Sequence, residues 1–538
     1  MTVMLNKQSQ NKIAQRIETQ DGRTLIYGYL TSFFLWAAGI LFSLLACATL
    51  FVTIHYPHYT EGVEYKHGTT PLVIIGIAII LAIITTLKAT GWLKKIDSKV
   101  SALIVSIYVG IAAISWAIMS NSFPDWDSKD LIVAASQLGH DYGDKWAPGA
   151  YMERFPFQTP YVVLIKILRY VFGQDQTYLA IELVNSMAAA ATAFIVILYT
   201  GKIFNNEVAN VSALLITLSW PIILYSTFAY GNLPAIPFAL AALYFQQIAI
   251  EDRVFKYNIY AAFLITISIM LKSTMIVILM AMSIAWGVTA IRDNTKKSLA
   301  AIATTLLIYI VCTSGFNACV THKYHVRLDN GLPKTTWIAM GLQRPQDPDV
   351  LNNSGGFNGY VWSWMNNYDP KQANRESLQS IHASIHDFTS NPLYAIRYFS
   401  HKEAWIWCDP TYESILNSNW SITADPHGKP MSSRPISPIA HSVYYGKIYK
   451  LTMFISDAMQ TLTFAGVAFS LIKNRKTNIN TIVSAIATTG FFLIYLLWEA
   501  KAQYAFPAAL LPLPLAAAGC WGLASLIYNK IPAIIWSK

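Results

Sequence analysis

Asp125, Asp127 and Asp130 stand in "SFPDWDSKDLIVAAS" (residues 122–136), directly after an apolar stretch long enough to cross a membrane. Acids at such an edge either cap the helix that follows or serve chemistry. Asp is a favoured N-cap and "DSKDLIVAA" reads as a helix start, so capping is the simpler account of this stretch on its own. Two other junctions share its side of the bilayer. Lys272 interrupts the apolar run "ISIMLKSTMIVIL", and Glu499, Lys501 and Tyr504 occupy "LLWEAKAQYAFPAALLP". A snorkelling lysine and an interfacial aromatic belt explain each one separately. Together they point to a single site at the outer surface, because ionisable groups at the lipid boundary are expensive and usually functional.

The elements that must position these residues follow from composition. With 54% hydrophobic and 13% charged residues over 538 positions, the chain is an integral membrane protein. Its apolar residues come in blocks of roughly 20, the length an α-helix needs to cross the hydrocarbon core, which rules out barrel strands. The expected fold is an all-α polytopic bundle of twelve spans, near 27–53, 71–92, 101–120, 178–200, 208–229, 235–250, 257–271, 274–291, 299–320, 447–472, 479–498 and 503–528. The first lacks a small-residue cleavage site and is kept as a mature helix.

Lys and Arg cluster in alternate connections, such as Lys94, Lys95, Lys99, Lys202, Arg253, Arg292, Lys473 and Arg475. The positive-inside rule then puts both termini in the cytoplasm of a cell-membrane protein. Residues 121–177 and 321–446 fall outside. The net charge of +10 comes mostly from cytoplasmic flanks facing anionic lipid, so no nucleic-acid partner is implied. Cys47, Cys312, Cys319, Cys408 and Cys520 form no disulfide framework or CxxC pair, and the chain shows no Walker loop, dinucleotide fingerprint or fixed-period repeat. Four regions result: a leader with two helices (1–100), a membrane core (101–320) with its first external loop (121–177), a large external cap (321–446), and C-terminal helices (447–538).

In the first external loop, "YMERFPFQTPYVVLIKILRYVFG" contains an apolar run too short to span, expected to lie at the interface with Lys166 and Arg169 on a polar face. The cap carries Trp337, Trp362, Trp364, Trp405, Trp407 and Trp420. A folded cap is the simpler reading, and stacking on sugar faces the sharper one. His382 and His386 are spaced to chelate zinc, but without clustered carboxylates a solvated helix face explains them better.

At this point the chain resembles the GT-C type of polytopic lipid-linked sugar transferases, in the protein O-mannosyltransferase and lipid A aminoarabinose transferase (ArnT-like) branch. The resemblance rests on Asp127 followed by Ala134 and Ala135, on "ERFPFQTPY" with Arg154 and Gln158, on "LKST" with Lys272, and on "EAKAQYAFP", and it runs from about residue 101 to 528. The chain departs from the family pattern in three places. "KST" lacks a proline, Gln503 replaces an arginine before Tyr504, and Asn232 stands where many members have an aspartate.

The resemblance implies an inverting glycosyltransferase that moves a sugar from a polyprenyl-phosphate donor in the membrane to an acceptor hydroxyl on a protein, polysaccharide or lipid outside. Asp127 would be the base, with Asp130 the runner-up because i, i+3 residues share a helix face, and Asp125 third. Lys272, with Arg154 or Lys501, would hold the carrier phosphate, and Gln158, Glu499 and Tyr504 complete the donor-binding set. No metal ligand is assigned, and the cofactor is unknown: the outer carboxylates could hold a divalent cation or none. The rival reading is a polytopic lipid or solute transporter without catalysis, which predicts charges near the bilayer midplane and repeat-related broken helices, neither of which the sequence shows.

Overall fold

The computed structural model describes residues 2–56, 62–122, 124–140, 144–293, 296–328, 331–344, 354–357, 369–423, 436–474 and 477–535. Among these, nine helices are long and apolar enough to cross a bilayer: Gly22–Phe51, Thr70–Ala89, Ser98–Ser120, Thr177–Ile203, Asn232–Glu251, Ser273–Asp293, Lys296–Tyr324, Lys447–Lys473 and Ile479–Leu497. Two further passages are bent pairs, Asn206–Leu218 with Pro221–Thr227 (54°) and Ala502–Leu510 with Leu513–Lys530 (63°). Pro221 opens the second piece of the first pair, and Pro512 falls at the break of the second, where a missing N–H and a bulky ring favour a kink. With the 17-residue apolar helix Phe255–Leu271, these elements match the twelve expected segments one to one. The protein is a multi-pass, mostly helical membrane protein.

Which faces are apolar outward and which inward follows from the solvent each meets. On Lys296–Tyr324 the side chains of Leu299, Leu307, Ile310 and Val311 are exposed, and only 11% of its apolar window is buried, so this helix lies at the bundle edge against hydrocarbon. Interior contacts rely on small residues. A Cβ added to Gly519 would come within 1.8 Å of the Gly466 carbonyl oxygen, so Lys447–Lys473 and Leu513–Ile535 touch main chain to main chain. Such close approach is how helices gain packing where lipid supplies no hydrophobic drive.

The two N-terminal helices pack against Lys447–Lys473. They are joined by an antiparallel hairpin, β1 (Val52–His55) and β2 (Glu64–His67), registered from Val52 opposite His67 to His55 opposite Glu64. The sequence reading did not foresee this sheet. It is tied to the cap by Ile54 N–H on the Cys408 carbonyl (3.0 Å) and by the Tyr65 hydroxyl on the His401 carbonyl (2.9 Å).

At the same end lie Trp126–Gln137, Tyr151–Arg154, Thr159–Phe172 and the cap helices Lys334–Leu342, Pro370–Ser390, Pro392–Trp407 and Pro438–Tyr445. Thr159–Phe172 is short, as expected, but its exposed side is apolar. Ile167, Tyr170, Val171 and Phe172 face out, while the Lys166 ammonium turns in to the Leu138 carbonyl (2.6 Å). Trp405 and Trp407 are buried core residues, which removes them as sugar-stacking platforms. Trp337 stacks on Trp498 with ring centres 6.1 Å apart. Trp362 and Trp364, and the Trp420 side chain, lie outside the described residues. His382 and His386 are both exposed, and all five cysteines are free.

Candidate active site

The helix Ser98–Ser120 ends in Asn121, whose φ of 48° reverses the chain, and Ser122 anchors the turn by donating to the Ser418 carbonyl (3.0 Å). Asp125 is then the N-cap of Trp126–Gln137, accepting the Trp126 N–H at 2.9 Å, so capping accounts for this acid. Asp127 follows in the first turn and is exposed. Its charge acts on Lys272, Tyr151 and Tyr230. Asp130 forms an ion pair with Lys145 at 2.6 Å, and its charge also acts on Tyr151, more weakly than that of Asp127.

Lys272 terminates Phe255–Leu271. Its N–H closes the last turn on Ser268 (2.9 Å), its backbone then becomes extended, and its ammonium lies 4.5 Å from the Tyr230 ring centre and 5.0 Å from that of Tyr504. Two aromatic faces attract the cation and keep water from it. Loss of water pushes Lys272 down to about 7; the charges of Asp127 and Glu499 oppose that shift and Lys501 adds to it.

Tyr230 comes from the non-helical stretch 228–231, which follows the 3-10 turn Tyr225–Thr227 and lies among the helices. Unpaired main-chain groups are costly there, and side chains satisfy them. Asn185 donates to the carbonyls of Ser226 (3.0 Å) and Phe228 (2.9 Å), and Tyr178 donates to that of Thr227 (2.6 Å). Gly231 presses on the end of the next helix: a Cβ there would sit 1.9 Å from the Leu271 carbonyl oxygen. Burial first, and then the charge of Asp127, keep the Tyr151 and Tyr230 hydroxyls protonated.

Of the remaining expected residues, Gln158 donates to the Tyr151 hydroxyl (2.8 Å), next to the Asp127 field. The Arg154 Nε bonds its own helix at the Ala150 carbonyl (3.3 Å), and its carbonyl accepts from Leu332 (3.0 Å), joining the first loop to the cap. Glu499 is buried and accepts from the Tyr504 hydroxyl at 3.2 Å. Lys501 is the N-cap of Ala502–Leu510, and its charge reaches Lys272 and Tyr230. Asp127, Gln158, Lys272, Glu499, Lys501 and Tyr504 are therefore neighbours. Two of the departures from the family pattern also meet: Asn232 Nδ2 donates to the main-chain carbonyl of Gln503 at 3.2 Å.

Sequence reasoning missed Tyr151, Tyr230, Lys402 and Glu413. Lys402 is wholly buried and donates to the carbonyls of Gly341 (2.6 Å) and Leu496 (3.0 Å), fastening the cap to the chain just before Glu499. Burial pushes its ammonium down and its neighbour Glu403 up. Nothing local in "HKEAW" marks these roles, because the partners are distant in sequence. Among the described residues no group of three or more His, Cys, Asp or Glu side chains is placed to hold a metal ion.

The arrangement sets an exposed carboxylate beside a buried cation clasped by two rings, a proton acceptor next to a seat for an anion. Residues 158–316 match the family described as dolichyl-phosphate-mannose-protein mannosyltransferase. That is the family the sequence resemblance names, a group of polyprenyl-phosphate sugar transferases of the GT-C type. The matched segment includes Lys272 and Tyr230 but neither Asp127 nor the 499–504 stretch. No curated protein matches the chain. Among solved structures, the oligosaccharyltransferase AglB of Archaeoglobus fulgidus, in complex with an inhibitory peptide and a dolichol-phosphate, is similar at 13% identity and a TM-score of 0.41, over 78% of this chain and 50% of that one. The chain thus spans about half the length of that enzyme. ArnT from Cupriavidus metallidurans, bound to undecaprenyl phosphate, is similar at 10% identity and a TM-score of 0.32, over 78% of this chain and 77% of that one.

Proposed function

We propose that this protein is an inverting membrane glycosyltransferase that moves a sugar from a polyprenyl-phosphate donor to an acceptor hydroxyl at the end of the bundle opposite its lysine- and arginine-rich connections. By the positive-inside rule that end is extracytoplasmic and both termini are cytoplasmic. The observation that carries the reading is the buried Lys272 ammonium between Tyr230 and Tyr504, with Asp127, Glu499 and Lys501 acting on it. A buried cation at a lipid boundary calls for an anionic ligand, and a carrier phosphate can approach it from the bilayer.

Lys272 and Lys501 would bind the phosphate oxygens and stabilise the charge that grows as the anomeric bond breaks. Phosphate is a good leaving group and needs no proton. Asp127, open to water, would take the proton of the acceptor hydroxyl as it attacks from the opposite face of the sugar. Glu499 holds the Tyr504 hydroxyl and thereby the ring beside Lys272.

The test is transfer by the purified protein from polyprenyl-phosphate sugars, together with binding of the carrier phosphate. Asp127→Asn should lower kcat about 100-fold or more while leaving carrier binding intact. Asp130→Asn, whose partner is Lys145, should stay within about threefold, and Lys272→Ala should weaken carrier binding roughly tenfold or more. In sealed vesicles, transfer should proceed with acceptor supplied only on the outer side. Full activity of Asp127→Asn would sink the assignment, and a transporter would show solute movement insensitive to this change.

A further inference from the structure

The short segment Glu499–Tyr504 carries three of the residues assigned above, yet its own fold explains little of its placement. Lys501 is extended, and as the N-cap residue it makes no side-chain cap bond to the helix Ala502–Leu510. The Ala502 N–H, one of the donors that a helix start leaves unsatisfied, instead reaches the Glu413 carboxylate at 3.0 Å. Glu413 is 3% exposed and lies 89 residues earlier, in the cap.

The turn that presents Glu413 is built against local preference. Tyr412 and Glu413 adopt φ of 51° and 61°, a left-handed pair without glycine. Non-glycine residues hold such angles only where the surroundings over-determine them, and such strain gathers at functional sites. The surroundings do so here. Asp409 accepts from the Thr411 N–H and hydroxyl (2.8 Å each) and from the Glu413 N–H (2.6 Å). The Tyr225 hydroxyl holds the Tyr412 carbonyl, and Gln460 holds that of Asp409 (2.8 Å). The hairpin of the two N-terminal helices supplies the last brace: Tyr56, just after β1, donates to the same Glu413 oxygen at 3.4 Å and receives the Trp405 indole N–H at 3.2 Å.

We propose that Glu413 is a positioning residue that fixes Lys501 and Tyr504 by holding the Ala502 N–H from the cap, with Tyr56 bracing it. The two N-terminal helices then serve the site without touching substrate, by setting where the anion-binding segment sits. The inference rests on the functional reading above for its effect on catalysis, but not for its effect on the main chain.

The experiment uses the full chain in lipid nanodiscs and reads amide hydrogen exchange at Ala502 together with transfer kinetics. Glu413→Ala should raise Ala502 exchange at least tenfold while leaving the helix interior unchanged, and should lower kcat/KM at least tenfold. Glu413→Gln keeps an oxygen for that N–H and should recover most of both. In a Lys501→Ala, Tyr504→Phe background, Glu413→Ala should cost less than threefold, because a residue that acts through others has nothing left to position. Tyr56→Phe, a milder variant should the alanine misfold, should raise the same exchange by a smaller factor. Unchanged Ala502 exchange in the glutamate and tyrosine variants, or a full multiplicative loss in the double background, would overturn the proposal. If the exchange responds as described but the wild type transfers no sugar, the enzyme reading falls and the positioning stands.

Discussion

Lys272 sits where burial brings its titration near neutrality, about 7, and the direction of that shift fixes a pH dependence. Below that value the ammonium is charged and attracts phosphate. Above it the neutral amine gives up the attraction, at a limit of about tenfold per pH unit. We predict that the donor KM rises between pH 6.5 and 8.5, and that Lys272→Arg, always charged, gives a flat profile; a wild-type KM independent of pH would refute this. Lys272 and Asp127 were legible in the sequence because a charge between apolar runs is conspicuous. Asp130 was not separable from Asp127 by spacing alone, and only its ion pair with Lys145 tells them apart. Tyr230, Lys402 and Glu413 left no trace, since what defines each is a partner brought close by the fold.

Among the elements, the non-helical stretch 228–231 fits closely against the end of Phe255–Leu271. A methyl group on Gly231 would overlap the Leu271 carbonyl oxygen, next to the residue on which the site is centred. Gly231→Ala should therefore cost about 1–3 kcal/mol of stability and raise the donor KM by moving Lys272. Gly287→Ala, with nothing within 4 Å of the added carbon, should do neither. Thermal unfolding in detergent and donor titration check both. Apolar length was enough to place all twelve apolar segments; nine helices and two bent pairs among them are long enough to cross a bilayer, and Phe255–Leu271 is shorter. Apolar length was silent on β1 and β2, whose four-residue strands fall below any periodic signal, and on the outward apolar face of Thr159–Phe172.

For the molecule as a whole, if Lys272 and Lys501 receive the donor as proposed, they also face what remains after transfer. A polyprenyl phosphate that has lost its sugar changes from a diester with one negative charge to a monoester with nearly two at neutral pH. On that proposal Lys272, between Tyr230 and Tyr504, and Lys501 would grip the spent carrier more tightly than the fresh one. The rate of repeated cycles should be governed by the carrier's escape into the lipid: pre-steady-state transfer should show a burst of about one equivalent, and added polyprenyl phosphate should compete at concentrations below the donor KM. A seat lined for anions carries this penalty by its nature: the dianion left after transfer favours the charged ammonium beside it, so the exhausted lipid would be slow to drift away.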